Sequence, residues 1–219
     1  MSRSGRERGP VGDAALAGCR KCARLARFRD AIKDEWPSYR CLPVPSLGAD
    51  DAPLVIVGLA PGLHGANATG RPFTGDHAGI LLYDTLYRLG LTNKPRSVAS
   101  GDGLVLAGCR ITNAVKCVPP ANKPTAGEIA ACAPYLRAEL AHLPPGGVVL
   151  ALGRIAHDAV LRAWGARLAL YRFAHGARHE IGPYRLFDSY HCSRYNTQTK
   201  RLTEDMFRAV CAAALREVP

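Results

Sequence analysis

Four consecutive aliphatic residues, Leu54-Val55-Ile56-Val57, run straight into a glycine-rich stretch. It reads Gly58-Leu59-Ala60-Pro61-Gly62-Leu63-His64-Gly65 and continues to Gly70-Arg71-Pro72-Phe73-Thr74-Gly75-Asp76. An apolar run without alternation reads as a strand buried on both faces, the kind found in parallel sheets. In open α/β sheets ligands sit just beyond the carboxyl ends of the strands, and glycines let backbone N–H groups approach them closely. The loop after Val57 is therefore the place to look for a site. Its glycines at 58, 62 and 65 do not fit Gly-x-Gly-x-x-Gly, and no Gly-Lys-Ser/Thr closes it, so neither common phosphate loop is present. A loop ending in Phe73 and Asp76 suits a flat ring instead: the phenyl group can stack on it, and the carboxylate can handle a proton or a water.

The rest of the chain repeats the pattern. Gly79 to Gly90 carries apolar residues at helical spacing and ends in a glycine suited to a C-cap. Leu104 to Leu106 and Arg110 to Val115 read as a second extended segment, running into Lys116-Cys117-Val118-Pro119-Pro120-Ala121-Asn122. Thr125 and Glu128 have the form of a capping box opening a helix through Leu140. Val148 to Leu152 is a third buried strand, Gly153 to Trp164 a third helix, and Ala177 to Tyr190 reads as two short strands about Ile181-Gly182-Pro183. The second of these leads into His191-Cys192-Ser193, and a last amphipathic helix closes the chain. Alternating strands and helices predict a parallel sheet with right-handed crossovers.

With 219 residues, a single domain over 16–219 is expected, preceded by a mobile, Gly- and Arg-rich basic arm over 1–15. No apolar run is long enough to cross a bilayer and the start has no apolar signal segment, so the expectation is a cytoplasmic protein. The formal charge of +11 points to a polyanionic partner, because clustered Lys and Arg release counterions from phosphates.

Eight cysteines in a chain expected in a reducing compartment point to metal ligation rather than disulfides. Cys19 and Cys22 have the two-residue gap that turns both thiolates toward one metal. Cys117 follows a strand, and Cys132 lies fifteen positions on, in a helix. The spacing is not that of a zinc ribbon; it leaves iron–sulfur and zinc open and leans to a cluster that ties several pieces of chain together. Cys41, Cys109, Cys192 and Cys211 read as small buried hydrophobes.

Taken together, Gly58-Leu59-Ala60-Pro61-Gly62, Gly70-Arg71-Pro72-Phe73 with Gly75 and Asp76, Asn113-Ala114-Val115-Lys116-Cys117 with Pro119-Pro120-Ala121-Asn122, and His191-Cys192-Ser193 make the chain resemble the uracil-DNA glycosylase superfamily. The branch it resembles most is the iron–sulfur family 5, or type B, over about residues 15 to 215. The resemblance implies a three-layer α/β/α sandwich with a central four-stranded parallel sheet, and a structural 4Fe-4S cluster on Cys19, Cys22, Cys117 and Cys132. It also implies removal of uracil from double-stranded DNA by a monomer, with acceptance of other deaminated bases such as hypoxanthine or xanthine.

The roles that the resemblance implies follow residue by residue, as expectations. Phe73 stacks on the pyrimidine, Asn113 reads its edge, and the turn holding Gly58, Ala60 and Gly62 cradles it. His191 donates to the departing uracil anion, while Asp76 orients water and stabilises the cationic sugar, assisted by Asn122. Arg194 or Tyr195 fills the gap left by the flipped base. Lys116, Lys123, Arg194, Lys200 and Arg201 contact phosphates. Two departures stand out. Ala60 replaces the Asp or Asn that positions water in better-known branches, which leaves the task to Asp76, and His-Cys-Ser replaces His-Pro-Ser. Plainer readings accompany the two main residues: a helix N-cap for Asp76 and a structural histidine for His191. Other classes for the whole chain are a metal-stapled nucleic-acid-binding module without catalysis and a nucleotide hydrolase using the glycine-rich loop.

Overall fold

The computed structural model describes residues 16–219; the segment 1–15, read above as a basic arm, lies outside the described residues. Helix α1 (Ala23–Glu35) comes first. Strand β1 (Leu54–Gly58) leads into the short helix α2 (Ala66–Thr69) and then α3 (His77–Arg88). Strand β2 (Cys109–Asn113) is followed by a 3₁₀ turn at Pro120–Asn122 and by α4 (Ala126–Leu140). Next come β3 (Val148–Leu152), α5 (Arg154–Ala163), and the hairpin of β4 (Arg178–Ile181) and β5 (Tyr184–Ser189). The short α6 (Arg194–Gln198) and α7 (Glu204–Arg216) end the fold.

The sheet has five strands in the order β2-β1-β3-β5-β4. Four are parallel, as expected, and β4 adds an antiparallel edge through its pairing with β5. The turn between them places Gly182 at φ +58°, a left-handed conformation that glycine adopts without strain. Successive side chains of a strand point to opposite faces, and here both faces are covered. Leu54 and Ile56 of β1 pack with Leu82 and Leu86 of α3 and Phe207 of α7. Val55 and Val57 pack with Leu136 and Leu140 of α4 and Val160 of α5. That is why β1 is a continuous apolar run. The capping box of α4 is present: Glu128 N–H donates to Thr125 Oγ1 at 3.2 Å and Thr125 N–H to Glu128 Oε2 at 2.8 Å.

The chain leaves β1 toward β2 on one side and returns to β3 on the other, so the crevice beyond the carboxyl ends of β1 and β3 is the topological switch point. Gly58, Asn113 and the His191 segment all emerge at that edge.

Candidate active site

A cleft of about 370 Å³ opens at this edge. Its walls hold Ala60 and Gly62 from the glycine-rich loop, Phe73 and Asp76, Asn113 at the end of β2, Asn122 from the 3₁₀ turn, and His191 with Arg194. Segments far apart in sequence, from Ala60 to Arg194, thus share one wall, and the glycines are what let them meet. A Cβ on Gly58 would stand 2.4 Å from Asn113 Oδ1 and 2.7 Å from Phe73 Cζ. One on Gly65 would stand 2.7 Å from Asp76 Cβ and Oδ2, and one on Gly79 would collide with the Phe73 carbonyl at 1.8 Å. Phe73 itself is held at φ +52°, a strained value for an aromatic residue. Its ring lies 5.9 Å from that of His191, nearly parallel at 26°.

Asp76 combines two duties. Its Oδ1 accepts the Gly79 N–H at 2.8 Å and caps α3, as the plainer reading expected. Its Oδ2 faces Gly62 and Gly65 across the loop. Burial raises its pKa above the ordinary carboxyl value, against the lowering effect of the Gly79 N–H. His191 is pushed the other way: burial lowers its pKa to about 4, so the imidazole is neutral at pH 7 and keeps one N–H to donate. The loop carrying it is fixed by Asn196, whose Nδ2 donates to the His191 carbonyl at 2.8 Å, and by the fully buried Cys192. Asn113 is only 3% exposed, and its Oδ1 has no hydrogen-bond partner. A buried acceptor left unpaired is costly; this one borders the cleft.

Two polar residues given no role from the sequence also line the cleft, His77 and Ser193. His77 begins α3 directly after Asp76, and its Nε2 lies 3.1 Å from Thr197 Oγ1 of α6. Ser193 caps α6. The lining includes no lysine; its one permanently charged cation is Arg194.

The basic residues divide. Arg194 borders the cleft, Tyr195 is 70% exposed beside it, Lys123 is exposed, and Lys200 lines an adjoining groove with His77 and Arg96. Lys116 does not reach the surface. It is 1% exposed, with its Nζ 2.7 and 2.8 Å from the Glu139 carboxylate and bonded to Thr112 Oγ1, so the expected phosphate contact is replaced by a core ion pair. Arg201 lies over the Tyr190 ring at 4.6 Å.

Cys19, Cys22, Cys117 and Cys132 converge, lining one small cavity with Arg29 and Val115. No three of their sulfurs lie mutually within 4.8 Å, whereas four thiolates around one zinc at about 2.3 Å stand about 3.8 Å apart. The spread suits a larger group. Burial raises the pKa of Cys22 and Cys132 and takes that of Cys117 to about 12. Cys132 Sγ accepts the Lys116 N–H at 3.2 Å. Arg29, 3% exposed, donates Nη2 to the Cys19 carbonyl while its Nε and Nη1 have no partner. A buried guanidinium with two orphaned donors beside four thiols fits an anionic occupant.

A family model described as the uracil DNA glycosylase superfamily matches residues 45–215. The chain belongs to that superfamily. It is 46% identical to a type-5 uracil-DNA glycosylase of Thermus thermophilus over 92% of this chain and 94% of the relative. A type-5 enzyme of Pyrobaculum aerophilum is 43% identical over 91% of this chain and 88% of its own. One of Mycobacterium bovis is 42% identical over 90% and 78%. Among the described residues no helix is long and apolar enough to cross a membrane.

Proposed function

We propose that the protein is a DNA-repair glycosylase of the cytoplasm that acts as a monomer, removing uracil, and other deaminated bases such as hypoxanthine, from double-stranded DNA. The observation that carries this reading is the unpaired Oδ1 of Asn113 at the floor of the cleft. An amide offers one acceptor and a pair of donors. Its Oδ1 can take the ring N–H of uracil while Nδ2 donates to the adjacent carbonyl, and cytosine, which has no such N–H, leaves the acceptor unpaired. Missing hydrogen bonds of this kind carry large discrimination.

A base inside a duplex cannot reach the cleft, so the nucleotide is flipped out, which costs a few kcal/mol and is cheapest at a mismatch such as G·U. Phe73 stacks on the base. As the N-glycosidic bond breaks, negative charge develops on the uracil, and the neutral His191 donates to a carbonyl oxygen there. The free oxygen of Asp76 faces the cationic sugar and orients the attacking water; Asn122 assists it. Arg194 or Tyr195 fills the vacated stack, and Arg194, Lys123 and Lys200 contact phosphates. Cys19, Cys22, Cys117 and Cys132 hold a 4Fe-4S cluster, whose contribution is structural, with Arg29 balancing its charge.

The test is single-turnover excision from G·U and G·C duplexes, with abasic sites revealed by alkali. Wild type is expected to cleave only G·U, and Asn113→Asp, which turns a carboxylate toward a uracil carbonyl, to lose about 10²–10³-fold in rate. Failure of the folded wild type to act on G·U would remove the reading, and an unaffected Asn113→Asp would remove the role of Asn113.

A further inference from the structure

Beneath the segment that carries His191, three side chains meet in the core. His157 of α5 is 1% exposed and Asp188 of β5 is 0% exposed. His157 Nδ1 lies 2.7 Å from Asp188 Oδ1, and its Nε2 lies 3.0 Å from the Tyr171 carbonyl. Asp188 Oδ2 lies 3.1 Å from Nε2 of His179 on β4. A carbonyl oxygen only accepts, so His157 Nε2 carries a hydrogen. A carboxylate oxygen only accepts as well, so Nδ1 must carry another. With Asp188 as the carboxylate, both ring nitrogens carry a hydrogen, and the imidazolium offsets the buried negative charge. Loss of that proton would leave an uncompensated buried anion.

The location gives the pair its consequence. Asp188 begins the run Asp188-Ser189-Tyr190-His191, and the next residue of that run, Ser189, accepts the Gly153 N–H at 2.8 Å through its carbonyl. Gly153 caps α5, and a Cβ there would stand 3.6 Å from His191 Cβ. The N-terminal turn of α5 is thus joined twice to the strand end that delivers His191. On the other side, the Gly176 N–H donates to the Asp188 carbonyl at 2.8 Å, and Tyr190 N–H donates to His175 Nδ1 at 3.2 Å.

From this geometry we infer that His157 and Asp188 form an imidazolium–carboxylate clamp that positions His191, and that the alkaline limit of excision belongs to His157. The inference rests on the catalytic role proposed above for His191. The charged and titratable groups around the imidazole are Asp188 on β5, His179 on β4, Tyr171 and His175 on the intervening segment, and Asp158 on α5, itself 3.9 Å from Arg154. Burial alone would lower the His157 pKa, but the hydrogen bond and charge of Asp188, with the Tyr171 carbonyl and Asp158, raise it overall. A group whose pKa is raised by folding stabilises the fold below its unfolded value near 6.5 and loses that contribution as pH rises through the folded value. The clamp therefore opens on the alkaline side.

The experiment is a ¹⁵N NMR titration of the histidine rings in the cluster-bearing protein, alongside excision rates over the same pH range and a metal analysis. His157 is expected as an imidazolium at pH 7, with the excision rate falling at the pH where that signal titrates. His157→Gln, which keeps a donor but no charge, is expected to lose about tenfold in rate through mispositioning, to bind duplex as wild type does, and to lack that alkaline limb. A neutral His157 at pH 7, a second metal bound by these three residues, or an alkaline limb that persists unchanged in the variant would overturn the clamp. Should His157→Gln not fold, the wild-type titration still decides the charge state. A protein that excises nothing would retire the glycosylase reading, and a His191 ring signal that follows the His157 titration would then decide the clamp.

Discussion

At the scale of single residues, the cleft is shaped as much by missing side chains as by present ones. Gly65 and Gly62 both border Asp76, but unequally. A Cβ at 65 would fall 2.7 Å from the Asp76 carboxylate, inside any tolerable contact, while one at 62 would fall 3.3 Å from Oδ2, where a small shift suffices. Gly65→Ala is thus expected to displace Asp76 and lower the single-turnover rate by about 10²-fold, the scale of an ångström's misplacement at a reacting centre, and Gly62→Ala to cost far less. Rates measured on a G·U duplex check the ranking; equal effects of the two alanines would show that the Asp76 position does not limit the rate. Asp76 also shows why its two readings were not rivals: one oxygen caps α3 while the other is left free. A sequence displays the motif and the capping position, but not that a carboxylate has an oxygen to spare.

Among the elements, the buried strands, the capping box of α4 and the terminal helix were legible because each is a local pattern whose partners lie within a few residues. Lys116 was not. Its position after a strand, in a loop expected to face DNA, reads as a surface cation, and the carboxylate that draws it inward sits 23 residues away on α4. The short helices α2 and α6 escaped for a related reason, since a single turn carries no period to detect. The ion pair has a thermodynamic signature. Glu139→Gln leaves an ammonium buried without a counter-charge and is expected to cost about 3–5 kcal/mol, whereas the double replacement Lys116→Met with Glu139→Leu is expected to recover most of that loss. Denaturant unfolding followed by circular dichroism measures both; additive losses in the double variant would mean that the pair is not isolated in the core.

For the molecule as a whole, the two ends of the fold are held by different means. The sheet with α3, α5 and α7 rests on two large apolar clusters. The part containing α1, the loop after β2 and the first turns of α4 has two small clusters: Leu16, Leu25, Val115 and Tyr135, to which Cys117 and Cys132 themselves belong, and Ile32, Cys41 and Val118. Its other fastenings are the paired bonds of Arg24 to Glu128 at 2.7 and 2.8 Å and of Arg29 to the Cys19 carbonyl. Cores that small do not hold their elements by apolar burial alone, and the iron–sulfur cluster proposed above would supply the remainder. Removing it by oxidation or by Cys132→Ser is expected to raise amide exchange over 16–35 and 115–135, Asn122 included, while β3, β5 and α7 keep their protection. Excision would then fall because Asn122 and the neighbouring cleft wall lose their place, with the Asp76 and His191 side intact. Exchange that rises evenly over the whole chain would instead make the cysteine site part of one cooperative core, and uniform protection after removal would show that the apolar clusters suffice.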